Sequence, residues 1–596
     1  MPVYQAPLRD QQFVIHELLD ACAQLAALPP YAEVDAGTID QVLEESGKFC
    51  AEVLFPLNAS GDVEGCRYDA QARSVTTPQG FKQAWQQFRD AGWGGVAGDP
   101  EFGGQGLPAL IHTAIGEMQC SANQAWAMYP GLTLGAYECL HAHGTPEQKA
   151  LYLPKLLSGE WAGTMCLTEP QCGTDLGLIK TRAVPTGDGA YKITGSKIFI
   201  SAGEHDLTEN IVHLVLAKLP DAPEGSRGIS LFIVPKFLPT AEGGVGERNG
   251  IFCAGIEHKM GIHGNSTCQM VMENATGWLV SEPHQGLAAM FVMMNGARLG
   301  VGMQGLGLNE VAYQNAVAYA RERLQSRALK GAAAPDKPAD PIIVHPDVRR
   351  MLLTARAYAE GGRALGYWAG LQIDIAHAHP DAAVREEAGQ MLALITPIVK
   401  AFLTDNGLSS AIEAQQVFGG HGYIRDNGAE QYVRDARITT IYEGTNTIQA
   451  LDLLGRKVLR DNGAALRRFG AKVQAFVQEH GTREDMNEFI TPLADLGDKF
   501  TKLTMEVGMK AMADPTEVGA AATDYLRVAG HLVFAYFWAQ MARVALDRQG
   551  SGDPFYAAKL ATARFYFARL LPEAGARMRA LRAGKQSLMA MDADWF

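Results

Sequence analysis

The sequence is poor in cysteine. It has nine in 596 residues, an odd and scattered set, with no CxxC pair and no zinc-like partners. That argues against a disulfide framework or a structural metal and suggests reduced thiols. A basic excess is also missing: 52 Lys and Arg stand against 65 Asp and Glu, a net charge of −13. A dedicated nucleic-acid binder would carry the opposite balance, so no nucleic acid is expected as a partner. There is no short repeat and no low-complexity segment. The opening stretch MPVYQAPLRDQQFVIHELLD lacks a basic region followed by an apolar run, so no secretory signal is expected. The best membrane-span candidate, GLAAMFVMMNGARLGVGMQGLGL (286–308), is broken by Asn295, Arg298 and glycines and reads better as a buried core helix. The chain is therefore expected to be soluble and cytoplasmic. At 47 % apolar residues it has material for several cores.

Periodicity divides the chain. Residues 1–160 read as helices parted by turns, with apolar residues three and four apart in QQFVIHELLD and IDQVLEESGKFCAEVLF. GWGGVAGDPEFGGQGLP, 92–108, is a glycine- and proline-rich loop within that region. Over 161–283 the period changes to β-type runs such as YKITGSKIFISAG, NIVHLVLAKL and GISLFIVPKFL. Helices return over 284–460, where LGLNEVAYQNAVAYARERLQSRAL predicts a long helix and the proline-rich 330–346 a loop. Residues 461–596 are again helical and contain LVFAYFW. The basic residues of 559–585 fit either a helix on an anionic membrane or a solvated face of a docked helix. Pro572, Gly575 and the apolar LVFAYFW favour docking.

Four segments carry chemistry. MCLTEPQCGTD, 165–175, combines threonines with a glycine-rich turn whose backbone donors suit a flavin edge or a phosphate, or form a plain strand and turn. KIFISAG, 197–203, is a strand closing on small residues. QQVFGGHGYIRD, 415–426, places a GGxG turn after an apolar helix, suiting close approach of a ligand or simply a helix end; His421 reads as structural. It follows no parallel strand, which excludes the Rossmann reading. Lastly, VRDARITTIYEGTNTIQALDLLGRKV, 433–458, sets the lone carboxylate of Glu443 among apolar neighbours just before a helix. A helix dipole alone would tolerate an acid there. Apolar surroundings would also raise its pKa and make it a better base.

These segments, in this order and in a helical–β–helical frame, resemble the acyl-CoA dehydrogenase family of flavoproteins. GWGGVAGDPEFGGQGLP, CLTEPQCGTD, FISAG, ERLQSR, QQVFGGHGY and IYEGTN carry the resemblance, which covers roughly residues 40–460. KMGIHGNSTCQM and SAGEHDLTENIVHLVLAKLP suggest the longer bacterial members, including the 3-methylmercaptopropionyl-CoA dehydrogenase-like subgroup.

The resemblance implies a mainly α fold with a central β domain. The expected parts are a helical domain (1–160), a β-barrel (161–283), a four-helix bundle (284–460) and a C-terminal helical extension (461–596). It implies FAD as cofactor and α,β-dehydrogenation of an acyl-CoA thioester, as in fatty acid β-oxidation. It places Glu443 as the base, with Tyr442 and Gly444 beside it at the substrate. Relatives that carry the base on the helix after the β domain differ here, since GLAAMFVMMNGARLG has no acid. Leu167, Thr168, Phe199, Ser201, Arg323, Gln416, Gly419, Gly420, Thr445 and Thr447 match cofactor positions; Thr174, Asn295 and Arg298 match substrate positions. Phe199 stands where many relatives have Trp, Ser201 where many have Thr, Thr447 where many have Gln, and Asn295 for a more usual Asp. Asn446 is expected to cap the following helix. An electron-transfer flavoprotein and a second copy of the chain are the implied partners, and membrane association is not expected. An acyl-CoA oxidase or a non-catalytic acyl-CoA-binding scaffold are the alternatives.

Overall fold

A computed structural model describes residues 2–596. The chain forms two compact units, one of 48–107 with 122–300, the other of 1–47, 108–121 and 301–596.

The first unit is built on a seven-stranded sheet. Its strands are β3 (Trp161–Cys166), β4 (Arg182–Pro185), β5 (Tyr191–Ser201), β6 (Asn210–Lys218), β7 (Ile229–Pro235), β10 (Ile251–Ile256) and β11 (Thr267–Val280). β11 pairs with both β5 and β7, β6 pairs with both β4 and β7, and β4 pairs with β5, so the strands close into a barrel. A short hairpin, β8 (Phe237–Pro239) with β9 (Val245–Arg248), stands apart from it. β6 is buried along almost its whole length because both of its faces are covered. Val212, Leu214 and Leu216 pack outward among residues of the helices Gln124–His143 and Pro146–Leu157, while Val215 and Ala217 join the core with Ile193, Ile200 and Met270. The mostly helical first 160 residues also contain a hairpin that the periodicity did not show, β1 (Arg67–Asp69) with β2 (Ser74–Thr76).

The second unit is helical. Its longest elements are the later part of Gly286–Glu322, then Pro346–Ala378, Ala382–Val417, Asn487–Ala513 and Thr516–Asp547. The stretches read as a core helix and a following long helix are one element, and it stops at Glu322, not at Leu329. From Arg323 the chain turns into the proline-rich loop, which is organised by the buried carboxylate of Asp340. That group accepts the N–H groups of Ala328, Ala333 and Ala334, and these bonds hold it far below the usual carboxylate range.

The 382–417 helix packs backbone to backbone against the 301–322 segment, where a Cβ on Gly407 would sit 2.4 Å from the Gly305 carbonyl oxygen. The Thr516–Asp547 helix is apolar nearly all round and accordingly buried. LVFAYFW forms the seam: Phe534 lies 4.8 Å from Phe402 and Phe537 lies 5.5 Å from Trp368, centroid to centroid. The expected docking of the C-terminal extension is thus present, and the N-terminal segment joins it through Phe13 and Phe555 at 5.3 Å. Basic residues of 559–585 are largely engaged: Lys559 with Glu360, Arg564 with Glu488, Arg577 with Glu573, Arg582 with Glu506, Lys585 with Asp514. All nine cysteines are free thiols.

Candidate functional site

The predicted residues gather in three places, one in the barrel unit and two in the helical unit. In the helical unit the helix Ala429–Thr439 ends and a tight turn leads into the helix Asn446–Leu451. Glu443 sits in this turn in the left-handed region, at φ 57°, followed by Gly444 at φ 81°. A side-chain-bearing residue there costs about 1–2 kcal/mol, so the surroundings must hold it. They do so by occupying the neighbouring backbone. The Gln449 amide donates to the carbonyls of Glu443 (3.0 Å) and Gly444 (3.3 Å). The Tyr442 hydroxyl donates to Gln304, and burial pushes that hydroxyl's pKa well up.

The expected cap is corrected here. Thr445, not Asn446, caps the helix, its hydroxyl accepting the Ile448 N–H at 3.3 Å. Asn446 instead ties the turn to the 382–417 helix. It accepts from Lys400 Nζ at 2.7 Å and donates to Thr404 (3.0 Å) and Asp405 (2.6 Å). Thr445 has the non-helical backbone of a cap, at φ −52° and ψ 159°, whereas Asn446 is already the first residue of the helix. Thr447 is exposed on the first turn.

The second group lies at the end of the Gly286–Glu322 helix. Arg323 is exposed just beyond that helix rather than on it, and its guanidinium has no acidic partner among the described residues. One turn earlier, the Tyr319 ring stacks on Phe418 at 4.3 Å and its hydroxyl meets His421 Nδ1 at 2.8 Å. These contacts bring the loop of Gln416, Gly419 and Gly420 to the same helix end, with all three residues exposed and Gly419 at φ 58°. His421 takes part in this contact through its Nδ1.

The third group is in the barrel unit. The Ile198 N–H donates to the Thr168 carbonyl at 2.9 Å, which sets Leu167 and Thr168 beside the end of β5. There β5 bulges. Lys197 pairs with Met270 and Ile200 with Cys268, so Ile198 and Phe199 together oppose Gln269. Phe199 leaves the bulge at φ 59° with its side chain 60 % exposed, an unusual place for a large aromatic ring. The hydroxyls of Thr168 and Ser201 have no protein hydrogen-bond partner among the described residues. Thr174, exposed on the following turn, is not drawn into this group. Asn295 is exposed and Arg298 buried on the same helix, Asn295 beside Gly296, whose Cβ would meet Glu138 Oε2 at 2.7 Å. Burial raises the Glu138 carboxyl to about 7.

Sequence reasoning missed Glu138, and it missed the buried pair Lys197–Glu169, whose nitrogen and oxygen are 2.8 Å apart. Both members of that pair lie inside segments already singled out. The available signal was a charged residue on the inward register of β5, between Ile193 and Ile200.

Four family models match in chain order. They are the acyl-CoA dehydrogenase N-terminal domain over 40–160, its middle domain over 164–275, its C-terminal domain over 284–459, and an acetyl-CoA dehydrogenase C-terminal-like region over 469–592. The chain belongs to the acyl-CoA dehydrogenase family. It is 44 % identical over 577 residues to the 3-methylmercaptopropionyl-CoA dehydrogenase of Ruegeria pomeroyi, covering 96 % of this chain and 97 % of that one. It is 35 % identical to the broad-specificity linear acyl-CoA dehydrogenase FadE5 of Mycobacterium tuberculosis, over 99 % of both chains. The crystal structure of an acyl-CoA dehydrogenase complexed with FAD from Bacillus anthracis superposes with a TM-score of 0.74 at 21 % identity, over 94 % of this chain and 89 % of that one. At that identity the likeness is one of fold.

As an acyl-CoA dehydrogenase the chain is a flavin-dependent oxidoreductase that uses FAD. Its own residues fit that cofactor. In the barrel unit, an exposed aromatic ring beside two hydroxyls with no protein partner among the described residues suits a flat ring with a polar edge; in the helical unit, an exposed guanidinium with no acidic partner among the described residues suits a pyrophosphate.

Proposed function

We propose that the protein dehydrogenates an acyl-CoA thioester to the trans-2-enoyl-CoA, with Glu443 as the base. A thioester α-proton is far less acidic than any side chain. Its removal needs a fixed carboxylate at the α-carbon and donors on the carbonyl oxygen, where negative charge develops. The observation that carries the reading is the left-handed turn. Glu443, between Tyr442 and Gly444, is held at φ 57° by hydrogen bonds from the Gln449 amide to its own carbonyl and to that of Gly444. Such strain is kept where a side chain must be aimed. The Glu443 backbone N–H serves the thioester carbonyl, and Tyr442 and Gly444 border the substrate.

Leu167, Thr168, Phe199 and Ser201 would hold the flavin ring. Arg323 would hold the pyrophosphate, and Thr445 and Thr447 would take the adenine dinucleotide end. FAD, when bound, supplies the hydride acceptor at N5 for the β-hydrogen. Thr174, Asn295 and Arg298 contact the thioester and CoA. The exposed loop of Gln416, Gly419 and Gly420 serves the flavin site of a second copy, making the protein a homodimer. Electrons pass to an electron-transfer flavoprotein, in the cytoplasm. Full-length likeness to relatives named for 3-methylmercaptopropionyl-CoA and for linear acyl-CoAs supports either a short thioether acyl group or a medium- or long-chain fatty acyl group.

Anaerobic titration of the yellow protein with a series of acyl-CoAs, a thioether acyl-CoA included, tests the reading. Bleaching of the flavin is expected with one class. No bleaching with any acyl-CoA would leave a binding scaffold, and stoichiometric peroxide in air would make it an oxidase.

A further inference from the structure

The mechanism above makes no use of a fully buried ion pair that lies directly beneath the barrel unit's candidate flavin residues. Lys197 is 0 % exposed and Glu169 is 3 % exposed. Lys197 Nζ donates to Glu169 Oε1 at 2.8 Å and to the Leu167 carbonyl at 3.0 Å. Glu169 is saturated. It also accepts the hydroxyl (2.6 Å) and N–H (3.1 Å) of Thr181, the Lys180 N–H (2.6 Å) and the Gln171 amide (2.7 Å). Burial alone would raise its carboxyl, but the Lys197 ammonium and these donors outweigh that and lower it to about 2.

Burying both charges is a poor way to stabilise a barrel. Well-packed apolar residues at such positions are usually as good or better, because desolvation cancels most of the Coulomb attraction. The neighbouring inward positions of β5, Ile193 and Ile200, follow that ordinary rule. What the pair does uniquely is join two segments. Lys197 is the last residue of β5 in regular register before the bulge. It grips the Leu167 carbonyl, and the next residue, Ile198, grips the Thr168 carbonyl. Phe199 follows at once in its left-handed conformation.

We propose that Lys197 and Glu169 are positioning residues: their ion pair locks the β5 bulge against the Leu167–Thr168 segment and so fixes Thr168, Phe199 and Ser201 as one flavin-holding edge. This rests on the reading of those three residues as flavin contacts. The pair touches neither substrate nor cofactor and acts through the residues it orients.

The test uses the full-length protein purified with its FAD. Glu169→Gln/Lys197→Met removes both charges at nearly constant volume, so the barrel is expected to fold. Lys197→Arg keeps the charge. The readouts are FAD occupancy, the visible absorption and circular dichroism of the bound flavin, and its midpoint potential, alongside far-ultraviolet circular dichroism. The double variant is expected to stay folded, lose FAD occupancy and shift the flavin bands and potential, with Lys197→Arg recovering part of each. A folded double variant with parental occupancy, spectrum and potential overturns the proposal. If the double variant does not fold, Lys197→Arg decides: parental flavin properties overturn the proposal, and shifted ones in a folded protein support it. Phe199→Ala and Ser201→Ala separate the two levels of the argument. If the parent binds FAD yet neither variant changes the flavin spectrum, the flavin reading of this edge fails and the proposal fails with it.

Discussion

The Lys559 ammonium, fully buried, lies 2.7 Å from Glu360 Oε2 and also contacts Asp10, so one side chain of the C-terminal extension holds both the N-terminal segment and the 346–378 helix. Arg363, likewise buried, continues the network to Asp10, Glu117 and Glu310. Removing one partner of a buried pair leaves an uncompensated charge and costs about 3–5 kcal/mol. Asp10 keeps Arg363 and Glu360 keeps Arg356, which sets the expected loss for Lys559→Met near the lower end, about 3 kcal/mol. Urea unfolding measures it, and faster proteolysis within the first twenty residues should accompany it. A parental midpoint would show that the junction does not depend on this contact.

Glu443→Gln should leave the folded protein and its FAD content unchanged while slowing substrate-dependent reduction roughly 10²–10⁴-fold, because the amide keeps the shape but accepts no proton. Anaerobic stopped-flow spectroscopy reads the rate. Near-normal reduction would remove Glu443 from the role of base.

Gly530 faces the Phe402 ring so closely that a Cβ would fall 2.2 Å from its Cδ2. Gly530→Val should therefore prise the extension from the bundle helices and cost about 1–3 kcal/mol or more by overpacking. Thermal unfolding monitored by circular dichroism gives the value. A neutral effect would mean that the seam opens freely.

Acid should weaken the barrel unit through its buried histidines. Burial lowers His205 and His213 to about 3, against an ordinary value of 6.5. They stay neutral in the folded chain and become charged in the unfolded one. Their contribution is complete above pH 6.5 and is lost as pH falls from 6.5 toward 3, by up to about 1.4 kcal/mol per pH unit for each. His213→Asn should be less stable than the parent at pH 7 yet lose stability less steeply down to pH 5, as urea midpoints would show. Comparing variant with parent isolates the histidine from Glu138, whose raised carboxyl works in the opposite sense. Parallel pH curves for the two proteins would refute the assignment.

The alternation of helical and β periodicity, the proline-rich loop and six short motifs in family order were legible in the chain alone, because each depends on residues near one another in sequence. Glu443, too, could be singled out as the candidate base: a lone acid among Ile441, Tyr442 and Gly444 is a local anomaly, and the family resemblance gives it that role. Three things were decided only by the tertiary structure. The left-handed conformation of Glu443 depends on Gln449 turning back to its carbonyl, a geometry that residue spacing does not specify. The partners of buried charges lie far away in sequence, 549 residues apart for Lys559 and Asp10 and 28 for Lys197 and Glu169, and no periodicity records them. The bulge that turns Phe199 outward arises from the register of β5 against β11. Register is a property of two strands together, so neither strand's sequence contains it.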